Sequence, residues 1–173
     1  MTFKEVFDKY NKLVYNLALQ YVQNKQDAEE ITQDVFVKVH EKLSTFQQQS
    51  DLKTWIYRIT INHSLDFIKA KKSRKKWFFF SALSVNDENT KIDIPHFDHP
   101  GVKLEQKEAL SSIFKSINQL PDNQKTVIIL LKIENNTQAE TALIMNISTK
   151  AVESLFQRAK KNLENLLLKN EGK

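Results

Sequence analysis

Apolar residues recur every three or four positions over most of this chain, and almost no glycine interrupts them. That spacing places them on one face of an α-helix, whereas a strand needs alternate positions. Gly101 and Gly172 are the two glycines, and both lie outside the periodic stretches, so hairpins and phosphate-binding loops have almost no glycine to use. The sequence therefore predicts an all-α protein and argues against β-rich folds and nucleotide enzymes.

Residues 1–76 contain three of these amphipathic stretches and predict a first small domain. The first runs from 3 to 22. The second runs from about 26 to 43 and carries carboxylates in its first half, where the helix dipole favours them. The third runs from 52 to about 75 and ends in a block, residues 69–76, that holds six cations and no carboxylate. Such a block favours a polyanionic partner, and nucleic acid is the first choice.

Residues 77–103 lose the helical periodicity, contain Pro95 and Pro100, and gather acidic residues. We interpret them as an irregular acidic linker. Periodicity returns near residue 104, so residues 104–173 predict a second small helical domain. A stop before Pro121 and a break at Asn135 and Asn136 divide its first helices.

The second half of this domain contains the helix start and stop signals of a helix-turn-helix. Thr137 and Glu140 have the spacing of a capping box at the start of a short helix. Asn146 suits a left-handed turn position, and Ser148 is an N-cap for a last helix that reaches about Leu168. A short capped helix, a tight turn and a longer helix form the motif that reads duplex DNA in the major groove.

The last helix separates a packing face from a polar face. The packing face comprises Val152, Leu155, Ala159, Leu163 and Leu166. Arginine pairs with guanine, glutamine with adenine, and lysine with phosphate, so the polar face suits DNA. Its candidate contacts are Thr149, Lys150, Ser154, Gln157, Arg158 and Lys161. The alternative is a helical hairpin with a solvated charged face.

The third helix of the first domain combines aromatic, amide and cationic side chains before the basic block. Rings stack on bases and ammonium groups meet phosphates, so this composition suits single-stranded or melting DNA. Trp55 and Tyr57 also fit a hydrophobic core, and the cations also fit a solvated helix C-terminus. The aromatic run at residues 77–80 leaves open a membrane-interface alternative.

Three collinear segments resemble the sigma-70 family, specifically its extracytoplasmic function (ECF) group. Residues 27–36 resemble the family's core-polymerase-binding helix, and residues 54–62 its promoter-melting helix. Leu120 and Pro121, the helix-turn-helix, and Gln157, Arg158 and Ala159 resemble its fourth conserved region. The resemblance implies an alternative sigma factor, which directs bacterial RNA polymerase to a subset of promoters.

The resemblance also implies partners and residue roles. The second helix would dock on the β′ clamp helices through Asp27, Glu30, Gln33 and Asp34, and the second domain would meet the β flap. The 45–51 loop and the third helix would hold the −10 strand, which has a flipped base. The −10 contacts it implies are Trp55, Arg58, Asn62, Lys69, Lys71, Lys72, Arg74 and Lys75. The last helix would read the −35 element through the polar face given above, and an anti-sigma factor would control the protein. No cofactor, metal or small-molecule substrate is implied.

The sequence departs from the family pattern at a few positions. Asn135 or Asn136, and Asn146, stand where relatives commonly carry glycine, which is a mild steric change. Glu153 stands where relatives often carry a basic residue, and an acidic side chain there either accepts from cytosine N4 or repels phosphate. The exact −35 sequence is therefore open.

Two other classes of protein compete with this interpretation. A stand-alone helix-turn-helix regulator would bind promoter DNA without polymerase. An enzyme would need a site, and His96, Asp98 and His99 in the linker are a poor metal set because they lack a rigid frame and a fourth ligand. The chain has no cysteine, no apolar run of membrane length and no signal-peptide core at its start, so we expect a cytoplasmic protein that is not an enzyme.

Overall fold

The computed structural model describes residues 2–46, 51–83 and 104–171, and the regular elements in these ranges are all helices. Helices α1 (Phe3–Val22), α2 (Lys25–Leu43) and α3 (Leu52–Leu83) build the first domain. The second domain contains α4 (Leu104–Gln119), α5 (Asp122–Ile128), α6 (Gln138–Met145) and α7 (Thr149–Glu171), and a π-helical segment, Ile129–Ile133, continues α5. The prediction of an all-α protein with two helical domains is confirmed.

Several predicted features lie partly or wholly outside the described residues. Most of the acidic linker does, including the candidate metal ligands His96, Asp98 and His99. So do residues 47–50 of the predicted 45–51 loop. In the aromatic run at 77–80, the indole of Trp77 is 73% exposed, and the phenylalanine side chains are outside the description. Within the described ranges, no helix combines the length and the apolar character that crossing a bilayer requires.

Helix α3 continues past the point at which we expected it to end. The basic block predicted a helix end near Lys75, but the helix runs through Leu83. Neither proline nor glycine occurs between Leu52 and Leu83, so nothing in the covalent structure stops the helix at the cations. The six cations of residues 69–76 therefore lie along a continuing helix rather than at its C-terminus.

The first domain is a unit of three helices, and both ends of α1 are capped. Thr2 and Glu5 form a capping box at the start of α1, and Gln23 ends that helix in a left-handed conformation with φ of 55°. The core between the helices includes fully buried aliphatic side chains from each helix: Val14 on α1, Ile31 on α2 and Ile56 on α3. The three- and four-residue spacing of the apolar residues predicts that they share one buried face, and the packing of the helices confirms it.

The second domain packs α4, α5 and α6 against α7. Phe114, Val127, Val152 and Ala159 are among its buried core residues. Pro121 is the residue just before α5, with φ of −53°. A proline suits this position because no backbone N–H is needed there.

A third hydrophobic cluster joins the two domains, and the sequence did not predict it. The first domain contributes side chains from α1 and α3, and the second contributes side chains from the π-helical segment and α6. The buried members are Leu17, Tyr21, Tyr57, Ile61, Ile129, Leu130 and Ile144. The two domains therefore form one packed body, with α3 against α6.

A core truncation on α2 tests the first-domain packing. Ile31→Ala should lower the free energy of unfolding by about 2–5 kcal/mol, because Ile31 is fully buried and its loss leaves a cavity. Val37→Ala is the matched control on the same helix, since Val37 is 57% exposed, and it should change stability by less than about 0.5 kcal/mol. Urea unfolding measures both, and equal effects would contradict this core assignment.

Candidate nucleic-acid and polymerase interface

The helix-turn-helix forms from the local signals in its sequence. The Thr137 hydroxyl accepts from the Glu140 backbone N–H at 3.1 Å, and the Glu140 carboxylate accepts from the Thr137 backbone N–H at 2.7 Å. The hydrogen bonds that the Glu140 carboxylate accepts, first from the backbone N–H of Thr137 and then from its hydroxyl, hold the pKa of Glu140 below its ordinary value. Asn146 ends α6 with φ of 55°, and the Ser148 hydroxyl accepts from the backbone N–H of Ala151 at 3.1 Å. The predicted capping box, turn and last N-cap are confirmed.

Helix α7 buries one face and exposes the other, as its periodicity predicts. Val152 and Ala159 are fully buried, and Leu155, Leu163 and Leu166 pack beside them. The candidate −35 contacts are all exposed: Thr149, Lys150, Ser154, Gln157, Arg158 and Lys161. Glu153 is exposed on the same helix. The Nε atom of Arg158 donates to the Ser154 carbonyl at 3.4 Å, and its guanidinium remains at the surface.

The candidate −10 residues on α3 divide into three environments. Trp55 is partly buried against the first-domain core, and its ring lies 4.9 Å from that of Phe46. Asn62 is exposed. Arg58 is partly buried, because its Nε donates to the Ile144 carbonyl at 3.2 Å and its terminal nitrogen donates to the Leu143 carbonyl at 2.6 Å. These carbonyls lie at the C-terminus of α6, where the free acceptors of a helix attract cations.

The basic block is an exposed stretch of α3. Its candidate phosphate contacts are all exposed: Lys69, Lys71, Lys72, Arg74 and Lys75. Two of them have carboxylate partners. Lys71 lies 2.5 Å from Asp27 on α2, and Lys69 lies 3.3 Å from Asp122 on α5. Exposed pairs of this kind are weak and exchange readily for other anions, so the block remains available to phosphate.

The candidate polymerase contacts on α2 lie beside α3. Glu30 and Gln33 are exposed, whereas Asp27 pairs with Lys71 as above. Asp34 accepts from His63 Nε2 at 3.0 Å, and Lys38 Nζ lies 2.9 Å from His63 Nδ1. Because an ammonium only donates, Nδ1 is the acceptor in the contact with Lys38. The four residues therefore divide into two free side chains and two that are oriented by α3.

Polar side chains surround the hydrophobic cluster between the domains. The carboxylate of Glu134, next to the π-helical segment, accepts from Gln20 Nε2 at 2.5 Å and from the Tyr57 hydroxyl at 2.8 Å. The Tyr21 hydroxyl donates to Thr126 at 2.9 Å. Burial raises the pKa of the Tyr57 phenol well above its ordinary value, and the negative charge of Glu134 raises it further. Tyr57 therefore stays a neutral donor to Glu134.

Sequence reasoning missed this interface, although one signal for it was present. Residues 127–131 are five consecutive apolar residues, which cover every side of a helix rather than one face. A helix that is apolar all round has neighbours on more than one side. The polar members, such as Gln20 and Glu134, carry no comparable signal, because isolated polar residues on helices are ordinarily solvated.

A groove of about 690 Å³ crosses the second domain between α4, the π-helical segment and α7. Its floor is apolar, with Phe114, Ile128 and Phe156 among the lining residues, and Lys132 and Lys160 also line it. Lys132 Nζ lies 5.2 Å from the centre of the Phe156 ring. An apolar floor with cationic edges fits an amphipathic helix that carries acidic flanks.

The exposed polar face of α7 and the exposed basic block of α3 define a helical DNA-binding protein with two separate binding surfaces. The Sigma-70 region 2 family matches residues 6–74, and the Sigma-70, region 4 family matches residues 110–163. Together these matches cover most of the chain in the family's own order. The chain belongs to the sigma-70 family, in its ECF group.

Relatives along the full length include members of the same group. The chain is 27% identical over 169 residues to the ECF RNA polymerase sigma factor SigW of Bacillus subtilis, covering 95% of this chain and 88% of the relative. It is 26% identical over 163 residues to the ECF RNA polymerase sigma-E factor of Haemophilus influenzae, covering 94% and 86%. The resemblance inferred from three segments is confirmed over nearly the whole chain.

Solved structures share the fold. The sigma factor RpoE from Bartonella quintana, in complex with the anti-sigma factor NepR, aligns with a TM-score of 0.65 at 23% identity, over 95% of this chain and 96% of that one. CnrH, in complex with the cytosolic domain of CnrY, aligns with a TM-score of 0.64 at 21% identity, over 95% and 86%. Both alignments extend across the two domains.

Asn146, in the turn between α6 and α7, gives a prediction that compares two substitutions at the same position. Asn146→Val should destabilise the second domain by about 1–2 kcal/mol, because a β-branched residue is strained at this left-handed position. Asn146→Gly should leave the stability close to native, since glycine takes positive φ freely. Thermal unfolding followed by circular dichroism measures both. Equal losses would show that the asparagine side chain, not the backbone conformation, matters.

Proposed function

We propose that this chain is an alternative sigma factor that binds core RNA polymerase and directs initiation at a subset of promoters. The observation that carries the proposal is the order of the two family matches on one chain, with an exposed recognition helix in the second. The protein supplies promoter recognition and strand capture, and the polymerase supplies the catalysis, so the sigma factor itself is not an enzyme. Its place of action is the cytoplasm, with the polymerase.

The first domain, residues 1–76, docks on polymerase through α2. Exposed Glu30 and Gln33, together with Asp27 and Asp34, form an acidic stripe at the start of that helix. Asp34 contacts His63 and Asp27 contacts Lys71 on α3, and exposed pairs of this kind are weak enough to be exchanged for the cations of a partner. A partner helix with basic residues, as on the β′ clamp, complements this stripe.

Helix α3 of the same domain holds the −10 strand. Exposed Asn62 presents its amide to bases, and the exposed cations Lys69, Lys71, Lys72, Arg74 and Lys75 follow the phosphates. Arg58 would present its guanidinium to a base once it is released from the α6 carbonyls. Trp55, whose ring centre lies 4.9 Å from that of Phe46, would border the pocket that receives the flipped base. A flipped base costs a few kcal/mol of lost stacking, and the contacts of the pocket and the backbone must offset that loss.

The second domain, residues 104–173, reads the −35 duplex with α7 and meets the β flap. Thr149, Lys150, Ser154 and Gln157 lie in the first turns of α7, where a recognition helix contacts base edges, and Arg158 and Lys161 follow. The apolar groove, with Lys132 and Lys160 along it, fits a helix such as the flap presents. The rest of the predicted acidic linker, after the end of α3 at Leu83, would follow the RNA exit path.

We also propose that an anti-sigma factor controls the protein. The sigma factor RpoE of Bartonella quintana, whose structure aligns across both domains, is bound to the anti-sigma factor NepR. The groove of the second domain and the acidic stripe of α2 offer such a partner the surfaces that polymerase would use. A controlling protein that covers them would prevent polymerase binding.

A reconstituted transcription assay tests the proposal. The chain should bind core polymerase at low salt, co-elute with it and start transcription at defined sites that core polymerase alone does not use. Absence of core binding would refute the proposal. Tight, sequence-specific binding to duplex promoter DNA by the free chain, without any contribution from polymerase, would favour the stand-alone regulator instead.

Arg158→Ala is the sharpest change on the recognition helix. It should reduce recognition of the −35 element by about 1–3 kcal/mol, because arginine makes bidentate contacts with guanine. Core binding should be unchanged, because Arg158 is exposed and distant in sequence from α2. Footprinting and a pull-down with core polymerase measure the two effects. Lys169→Ala, at the far end of the same helix, is the control, and a joint loss of both activities would assign Arg158 a structural role.

A further inference from the structure

Residues 69–77 of α3 lie outside the hydrophobic clusters that hold the described parts of the chain together. Every residue of this segment is exposed, and Ile68 is the last described residue of α3 that belongs to a cluster. Lys69 and Lys71 pair with carboxylates of neighbouring helices, but among the described residues no side chain from 72 to 77 does so. Helices in proteins owe most of their stability to packing, so this exposed stretch suits a partner surface.

Cations and aromatic residues follow one another along this part of α3 in two separate blocks. The block of residues 69–76 contains six cations and no carboxylate, and Trp77 begins a run of four aromatic residues that continues through Phe80. Trp77 is the most exposed of the large hydrophobic side chains in the described residues, at 73%. Most of its apolar ring is therefore in water and is available to a partner.

The order of the two blocks distinguishes a lipid surface from a nucleic-acid strand. A single strand repeats phosphate and base along its whole length, so the proteins that bind it combine cations and stacking rings along the same groove. A bilayer is layered instead, with charged headgroups outside and hydrocarbon inside. A helix whose cations come first and whose aromatic residues follow matches that layering.

The dimensions of this part of α3 fit the interfacial layer of a bilayer. At about 1.5 Å per residue, residues 69–76 extend over about 12 Å of helix, and the four aromatic residues add about 5 Å. Interfacial helices bury apolar groups about 5–10 Å into the boundary between headgroups and acyl chains. A helix that enters this boundary obliquely brings its aromatic end to the acyl chains while its cations stay among the headgroups.

We propose that residues 69–80 of α3 dock on an anionic bilayer surface, with Trp77 in the interface and the preceding cations on the headgroups. The cations that have no carboxylate partner among the described residues carry the contact: Lys72, Arg74, Lys75 and Lys76. The docking is peripheral and sensitive to salt, because the charges are exposed. It goes beyond the proposed role in transcription and does not depend on it.

Sedimentation with vesicles measures this binding for the whole chain. The probe is a vesicle of phosphatidylglycerol and phosphatidylcholine in equal parts, and a vesicle of phosphatidylcholine alone is its neutral counterpart. The native chain should bind the neutral vesicle at least about tenfold more weakly, because each cation near an anionic surface contributes about fivefold. Absence of binding to the anionic vesicle, or equal binding to both vesicles, would overturn the proposal.

Substitution of Trp77 tests the aromatic part of the docking site. Trp77→Ala should weaken binding to the anionic vesicle about tenfold, because it removes apolar area from the interface, and Trp77→Phe should restore most of the binding. Val37→Ala is the matched control, since Val37 is an apolar side chain on α2 that is 57% exposed, and it should change nothing. Native affinity in the Trp77→Ala variant would contradict the docking site.

Substitution of single lysines separates this segment from the general basic charge of the chain. Lys76→Gln should weaken binding to the anionic vesicle about fivefold. Lys169→Gln makes the same charge change at an exposed position of α7, and its effect should stay below about twofold because screening confines the attraction to nearby charges. Equal losses would assign the binding to net charge and would exclude a docking site on α3.

The fluorescence of Trp77 reports whether its ring leaves water. The chain has two tryptophans, so Trp55→Phe leaves Trp77 as the single indole. Its emission should move to shorter wavelength when anionic vesicles are added and should not move with neutral ones. Sedimentation without such a shift would place the contact elsewhere on the molecule and would overturn the proposal.

A labelled single-stranded oligonucleotide tests nucleic acid as the alternative partner of Trp77. Bound to core polymerase, the Trp77→Ala variant should hold the oligonucleotide within about twofold of the native chain, whereas loss of a stacking ring costs about fivefold or more. A loss of that size, together with unchanged binding to the anionic vesicle, would assign Trp77 to the DNA strand and would refute the membrane docking site.

Discussion

One helix of the second domain contributes to two hydrophobic cores. In the helix formed by α5 and its π-helical continuation, Val127 and Ile128 pack within the second domain, whereas Ile129 and Leu130 face the first. A π-helical turn changes the direction in which successive side chains point, and such turns are common at functional sites. The packing of the two domains against one another depends on this run of apolar residues.

That packing determines what the polar groups around it can do. Arg58 and Tyr57 lie on the helix that the family match assigns to Sigma-70 region 2, yet in the packed state both bind the second domain. Glu134, Leu143 and Ile144 lie within the region 4 match. The interface between the domains therefore joins residues of the region 2 match to residues of the region 4 match.

How much of the fold the sequence predicts depends on whether the signal acts within a few residues or between distant parts of the chain. Helix bounds and caps were largely predictable, because Thr137, Asn146 and Ser148 act through backbone groups within a few residues of themselves. The end of α3 was not, because a block of cations is compatible both with a helix end and with a continuing exposed helix. The exposure of the α7 polar face also followed from periodicity.

Contacts between elements far apart in sequence were beyond such reasoning. Gln20 and Glu134 are 114 residues apart, and nothing in either neighbourhood indicates the other. The family resemblance supplied candidate roles for Arg58 and Asn62 but not their environments, which differ: one binds α6 and the other is exposed. Three-dimensional packing, rather than residue type, distinguishes the two.

The distance between the domains in the free chain tests the account most directly. The sequence has no cysteine, so Lys12→Cys on α1 and Glu164→Cys on α7 introduce a single pair of spin-label sites at exposed positions. Pulsed electron resonance should give one narrow distance distribution for the free chain, and a different distribution when core polymerase is bound. A broad distribution in the free chain, as from two domains that move independently, would contradict the packed interface.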